Sequence, residues 1–246
     1  MFNYINKVDL KIEISQNVLI WLESYPTPEQ PENNFNISRQ VAKMVFQDHP
    51  MRMKPVGKDF PIKLSYQNES IMLTSDMYRE IKTSTLSTVK NFGLTGSTKY
   101  SRIELPDELK KEIIDCLPEI LKSYNPTPVL QIIDGIGMPP HSDFNRKSSL
   151  YYLLTDNNCS TMWFESNSHI SLHEHANKHG FFYSIADLNN TELRETVSLE
   201  KNTWYVFDNY SFHAIKSNDG PMLRKGLQIE FNELLAKDLY AVLMQQ

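Results

Sequence analysis

The residues of this chain whose types and spacing can do chemistry are His141, Asp143 and His213, with Arg224 eleven positions further on. His141 and Asp143 lie two positions apart, so on an extended backbone both side chains leave the same face and can reach one ion. Two neutral imidazoles and one ionised carboxylate hold a divalent metal such as non-haem Fe(II) on one side and leave the opposite positions open. A His-x-Asp tripeptide on its own is equally an ordinary solvated turn. The second half of the pattern adds weight: 202–208 (NTWYVFD) is apolar on both faces, as a strand buried in a sandwich must be, and runs through 209–212 into His213. The segment 216–221 (KSNDGP) is a turn by composition, with Asp219-Gly220 as its signal. The chain then returns as 222–231 (MLRKGLQIEF), an alternating strand with Arg224, Gly226, Gln228 and Glu230 on one face and Lys225 on the other. A histidine and an arginine flanking one hairpin can face one cavity, and a guanidinium fork there suits the far end of a dicarboxylate.

The elements that must carry these residues are short strands. Apolar or alternating runs at 129–133, 148–154, 160–165, 181–185, 195–199, 203–208 and 223–231, separated by polar turns, predict a jelly roll of two sheets. Gly135, Gly137 and Pro139-Pro140 break the first run just before His141 and set His141 and Asp143 at a rim. The N-terminal half has a helical texture. Helices are expected at 38–46, around 75–83, and best of all at 106–124 (PDELKKEIIDCLPEILKSY), kinked or split at Pro118; 15–24 is a helix or an extended segment. The proline-rich 25–35 reads as an exposed loop. The expected class is α+β with a mainly β core. A single domain covers 1–246: a helical or mixed support region at 1–127, the catalytic β core at 128–235, and a C-terminal tail at 236–246.

The His-x-Asp pair, the strand NTWYVFDNYSFHAI and the following arginine together resemble the Fe(II)- and 2-oxoglutarate-dependent dioxygenase superfamily. The resemblance covers roughly 128–231 and implies a double-stranded β-helix, a distorted jelly roll of the cupin-like kind. It implies His141, Asp143 and His213 as ligands of Fe(II). It implies Arg224 as the partner of the distal carboxylate of 2-oxoglutarate, and Tyr151 or Tyr152 as a further co-substrate contact, since only one of the two can face inward. Where that family often has Arg-x-Ser, this chain has Arg224-Lys225-Gly226, so the serine hydroxyl is missing and a tyrosine from another strand is expected in its place. An aspartate at 143, where the related halogenases have a small residue, favours hydroxylation. The implied reaction uses O2, releases succinate and CO2, and hydroxylates a small-molecule or amino-acid-like substrate. Asn145 and Arg146, just after the ligand pair, are expected on the substrate side.

Composition restricts the other readings. The net charge of -5 and the pI near 5.8 argue against non-specific nucleic-acid binding. Two cysteines, Cys116 and Cys159, lie far apart with no thiolate metal pattern, and no apolar run approaches a membrane span, so a soluble cytoplasmic protein is expected. His169, His173, His175 and His179 could bind a metal, but their spacing cannot build HExxH; a loop over the cavity mouth is the expected place. Arg52 and Lys54 could meet an anionic substrate or simply line an exposed loop. Three readings compete with a small-molecule oxygenase: a protein or peptidyl hydroxylase of the same kind, a jelly-roll binding module without catalysis, and a structural or regulatory metal protein using the clustered histidines.

Overall fold

Period-two alternation in the C-terminal half, and short apolar runs elsewhere, give a mainly β chain. The structure is a computed structural model that describes residues 3–10, 12–27, 33–36, 62–66, 69–73, 97–141, 143, 146–156, 158–166, 169–170, 185–186 and 191–245. In chain order the elements are β1 (Ile5–Val8), α1 (Gln16–Ser24), β2 (Asn33–Asn36), β3 (Ile62–Tyr66), β4 (Glu69–Leu73), β5 (Ser97–Glu104), α2 (Asp107–Asp115) and α3 (Glu119–Lys122). Then follow β6 (Thr127–Gly135), β7 (Gly137–His141), β8 (Ser148–Leu153), β9 (Cys159–Ser166), β10 (His169–Ile170) and β11 (Ile185–Ala186). The last are β12 (Thr191–Val197), β13 (Trp204–Asp208), β14 (Phe212–Ser217), β15 (Met222–Phe231) and α4 (Ala236–Leu243).

Two antiparallel sheets carry the site. One has seven strands in the order β1-β13-β8-β15-β6-β5-β2, the other four in the order β12-β9-β14-β7; β3-β4 and β10-β11 are separate pairs. Strand β15 is buried along nearly its whole length, and its two faces have different neighbours. Leu227 and Ile229 join Leu130, Ile132, Leu150 and Val206 in a cluster on the outer face, which α1, α2, α3 and α4 cover with Val18, Leu22, Ile113, Leu121 and Leu239. The inner face, towards the four-stranded sheet, holds a second cluster of Tyr151, Leu153, Trp163, Tyr205 and Phe207, flanked by the polar groups of the site. Burying the aliphatic and aromatic side chains of both clusters, at roughly 1.5–3 kcal/mol each, is what keeps the layers together.

The helices follow from their ends and their apolar stripes. The α1 helix starts at Ser15, whose hydroxyl accepts from the Val18 N–H at 3.3 Å, and it buries Val18 and Leu22, which decides 15–24 in favour of helix. The expected helix at 106–124 is divided into α2 and α3 at Pro118, which cannot donate to the preceding turn.

Several expectations are corrected. Pro139 and Pro140 do not break the chain; they lie within β7, which pairs on one side only, so their missing N–H groups cost the sheet little. Gly137, at φ +133, lets β7 pass close to β14: a Cβ there would overlap the Ile215 carbonyl oxygen. His213 is not a continuation of β13; the chain turns at 209–211 and starts β14. Nor do His213 and Arg224 flank a hairpin, because β14 and β15 belong to different sheets and the turn around Gly220 crosses between them. The N-terminal support region contributes β1, β2 and β5 to the large sheet, and the expected tail contains α4, which buries Ala236, Leu239 and Leu243. The helices expected at 38–46 and 75–83 lie outside the described residues. No described helix is long and apolar enough to cross a membrane.

Candidate metal centre and anion pocket

The ligand trio is assembled by strand register. His141 ends β7, His213 is the second residue of β14, and the two are direct partners across the sheet, with ring centroids 4.4 Å apart. Asp143 follows past the strand end, tied by its N–H to the Asn209 carbonyl at 2.8 Å. One ligand atom from each of the three lies within 4.8 Å of the others, and all three residues are buried. His141 Nε2 is 4.0 Å from Asp143 Oδ1, and His213 Nε2 is 3.9 Å from Oδ2. His213 Nδ1 lies 2.9 Å from the Ser211 carbonyl, so Nδ1 carries the proton and Nε2 keeps its lone pair facing Asp143.

The protonation states suit a cation. Burial first, and then the neighbouring His141, push the His213 imidazole down to about 3, so the ring is neutral near pH 7. Burial alone would raise the Asp143 carboxyl, but Arg146 and the two histidines outweigh it and hold it below the usual carboxylate range. A buried anion facing two imidazoles, one of them neutral with its tautomer fixed, fits a divalent metal by donor type.

Asp143 is supported on the side away from the histidines. Arg146 Nη2 donates to Oδ2 at 2.8 Å and Asn209 Nδ2 donates to the same oxygen at 3.2 Å. Asn209 in turn accepts from Ser149 at 2.8 Å, and Ser149 accepts from Gln228 at 3.0 Å. Arg146 was expected on the substrate side. Instead it lies between two buried carboxylates, with Nη1 also donating to Glu230 at 2.8 Å and to Gln228 at 3.3 Å. Asn145, and the side chains of His169, His173, His175 and His179, lie outside the described residues, as do Arg52 and Lys54.

Arg224 forms a second buried polar cluster, with Tyr151 of the seven-stranded sheet and Thr161 of the four-stranded one. It is 2% exposed, yet among the described residues no carboxylate pairs with it. Its Nε donates to the Tyr151 hydroxyl at 3.0 Å, and Nη1 donates to Thr161 Oγ1 at 2.9 Å, with Cys159 Sγ at 4.0 Å. The guanidinium carbon also lies 4.7 Å from the Tyr151 ring centroid. Burial raises the Tyr151 phenol further than Arg224 lowers it, so it stays protonated. With their oxygens accepting from Arg224, both hydroxyls keep a proton to donate to an anion. Gly226 makes room: a Cβ there would overlap the Tyr151 ring and hydroxyl. Of the two candidate tyrosines, Tyr151 faces this cluster, whereas Tyr152 packs against Trp204 on the helix-covered face, centroids 5.0 Å apart.

Aromatic rings join the two clusters. Phe207 sits 5.3 Å from the His213 ring and 6.2 Å from Tyr151, and Trp163 lies 4.9 Å from Phe207. The wall between them is therefore apolar. Sequence reasoning missed Thr161, Asn209 and Arg102. Thr161 had a legible signal, since it stands two residues before Trp163 on one expected strand; Asn209 and Arg102 become visible only through contacts far apart in the chain.

No protein-family model and no curated protein sequence matches the chain. Among solved structures it is similar to the L-ribose isomerase of Geodermatophilus obscurus, at 12% identity and a TM-score of 0.29 over 55% of this chain. It is also similar to Cellulomonas parahominis L-ribose isomerase with L-psicose, at 12% identity and a TM-score of 0.30, again over 55% of this chain. The chain spans 61% of the length of each of these proteins. Likeness at that level carries no argument about this chain.

Proposed function

We propose that the protein is an Fe(II)- and 2-oxoglutarate-dependent dioxygenase with a double-stranded β-helix core, hydroxylating a small-molecule or amino-acid-like substrate. The observation that carries the reading is Arg224, a buried cation with no carboxylate partner among the described residues, in the same interior as a His-Asp-His trio. A buried charge left without a counter-charge is costly, and a ligand anion removes that cost. The expected anion is the distal carboxylate of 2-oxoglutarate.

In this reading His141, Asp143 and His213 hold the metal. Fe(II), O2 and 2-oxoglutarate supply the oxidising chemistry when bound, with the co-substrate leaving as succinate and CO2. The remaining work belongs to the protein. Ser211 fixes the His213 tautomer, while Arg146 and Asn209 hold the Asp143 carboxylate. Arg224 offers the fork that orients the co-substrate, helped by the Tyr151 and Thr161 hydroxyls; Tyr151 thus fills the role of the missing serine beside Gly226. The Phe207 and Trp163 rings line the interior with apolar surface and exclude water from it.

Anaerobic calorimetry with Mn(II) in place of iron tests the proposal. The wild type is expected to bind Mn(II) and then 2-oxoglutarate. Arg224→Ala should keep its Mn(II) affinity and lose at least about 10-fold in 2-oxoglutarate affinity, the loss of one charge-assisted hydrogen bond. Equal 2-oxoglutarate affinity in the variant would show that Arg224 is not the anchor.

A further inference from the structure

Four charged side chains of alternating sign run through the sandwich interior, and only the first of them is a metal-ligand candidate. Asp143 pairs with Arg146 at 2.8 Å, Arg146 with Glu230 at 2.8 Å, and Glu230 takes a two-pronged contact from Arg102, at 3.1 Å to Nε and 2.7 Å to Nη2. The side chains of the first three are 4–5% exposed and that of Arg102 is 12% exposed. Well-packed apolar residues would fill the same space at similar or lower free energy, so stability alone does not account for such a ladder. Its inner end terminates on a single oxygen. Oδ2 of Asp143 receives both Arg146 and Asn209, which occupies the lone pairs of that atom.

The geometry points to Glu230 as a positioning residue of the metal centre, acting through Arg146 on the charge and orientation of Asp143. This rests on the metal-centre reading above and extends it to a residue that touches no ligand. Glu230 shares the Arg146 guanidinium with Asp143. While it does so, the positive charge beside the centre is half compensated, and one arm of the fork is occupied away from Asp143. Removing the Glu230 charge acts in one direction only. The Asp143, Arg146 and Arg102 charges then sum to one net positive charge where the four groups summed to zero, which repels a divalent cation, and Arg146 is released to engage Asp143 with both arms in competition with the metal. Removing Arg146 as well cancels that repulsion, while Asn209 still holds Asp143.

Mn(II) affinity, measured by calorimetry under anaerobic conditions, reads this out without turnover. Glu230→Gln is expected to weaken Mn(II) at least about 10-fold, within the range typical of groups one step beyond the ligands. The pair Glu230→Gln with Arg146→Met should recover at least about three-fold of that loss. Arg102→Gln, a milder change at the outer end, should bind Mn(II) as tightly as the wild type or tighter, since it leaves the Glu230 charge less neutralised. A merely structural ladder gives the opposite pattern, with all three variants weaker and the pair weakest. That pattern, or Glu230→Gln binding within two-fold of wild type, overturns the inference. Should Glu230→Gln not fold, the sign of the Arg102→Gln effect decides alone. A wild type that binds no Mn(II) removes the metal-centre reading itself, which separates the two failures.

Discussion

Arg146 and Arg224 are two buried guanidiniums between the same sheets, and their surroundings differ in one respect. Arg146 lies between Asp143 and Glu230, two carboxylates at 2.8 Å each. Arg224 has, among the described residues, the neutral oxygens of Tyr151 and Thr161, with the Cys159 sulfur further off. Both are raised in pKa against the burial that would lower them, Arg146 by the Asp143 and Glu230 charges, Arg224 by contacts with Tyr151 and Cys159. Neither loses its proton, so the contrast is one of charge balance: the first cation is neutralised by Asp143 and Glu230, and the second has no carboxylate partner among the described residues. A buried cation paired within the fold has its charge balanced there; one with no carboxylate partner among the described residues carries a desolvation cost that a ligand anion would offset.

The largest test of that contrast is on stability. Arg146→Met leaves the buried Asp143 carboxylate without its guanidinium, while Glu230 keeps Arg102, and should cost about 3–5 kcal/mol in urea denaturation. Arg224→Met strands no charge and should cost no more than about 1 kcal/mol, the loss of hydrogen bonds to two hydroxyls. Equal costs would erase the distinction. Next in size is the hydroxyl that distinguishes the two tyrosines. Tyr151→Phe takes the acceptor from Arg224 Nε and a donor from the cluster, and 2-oxoglutarate affinity should fall about 5- to 10-fold, or ~1–1.5 kcal/mol. Tyr152→Phe, on the far face of the same strand, should leave that affinity unchanged in the same calorimetric titration. The smallest effect belongs to Lys225, one position from Arg224 and facing the helices. Its Nζ donates to the Tyr25 carbonyl at 2.6 Å and lies 3.5 Å from that of Glu23, at the C-terminal end of α1. Lys225→Met should lower stability by about 1 kcal/mol through the lost helix-end interaction and leave 2-oxoglutarate binding intact.

How far the sequence predicts the site depends on the range of the interaction involved. His141 and Asp143 were legible because period two is local, and the opposite faces of Arg224 and Lys225 followed from the same rule. His213 was grouped with His141 and Asp143 by a wrong route, since a turn at 209–211 and a change of sheet separate it from β13 and β15. Tyr151 and Tyr152 could not be told apart, because β8 packs on both faces and hydrophobicity does not mark which one carries the site. The pairing of Arg146 was not legible, because its partners Glu230 and Asp143 are 84 and 3 residues away and only the folded register brings both to it. The edge position of β7, which tolerates Pro139-Pro140, is likewise a property of the assembled sheet. Strands β1 and β5 and helix α4 were missed where short segments are stabilised by neighbours remote in sequence rather than by their own pattern.

The most direct measurement is an anaerobic titration of the Fe(II)-loaded protein with 2-oxoglutarate, followed by visible absorbance. A weak charge-transfer band that saturates with 2-oxoglutarate in the wild type and is absent from His141→Ala is the expected result. Wild-type protein that holds Fe(II) and shows no band at saturating 2-oxoglutarate would contradict the proposed function.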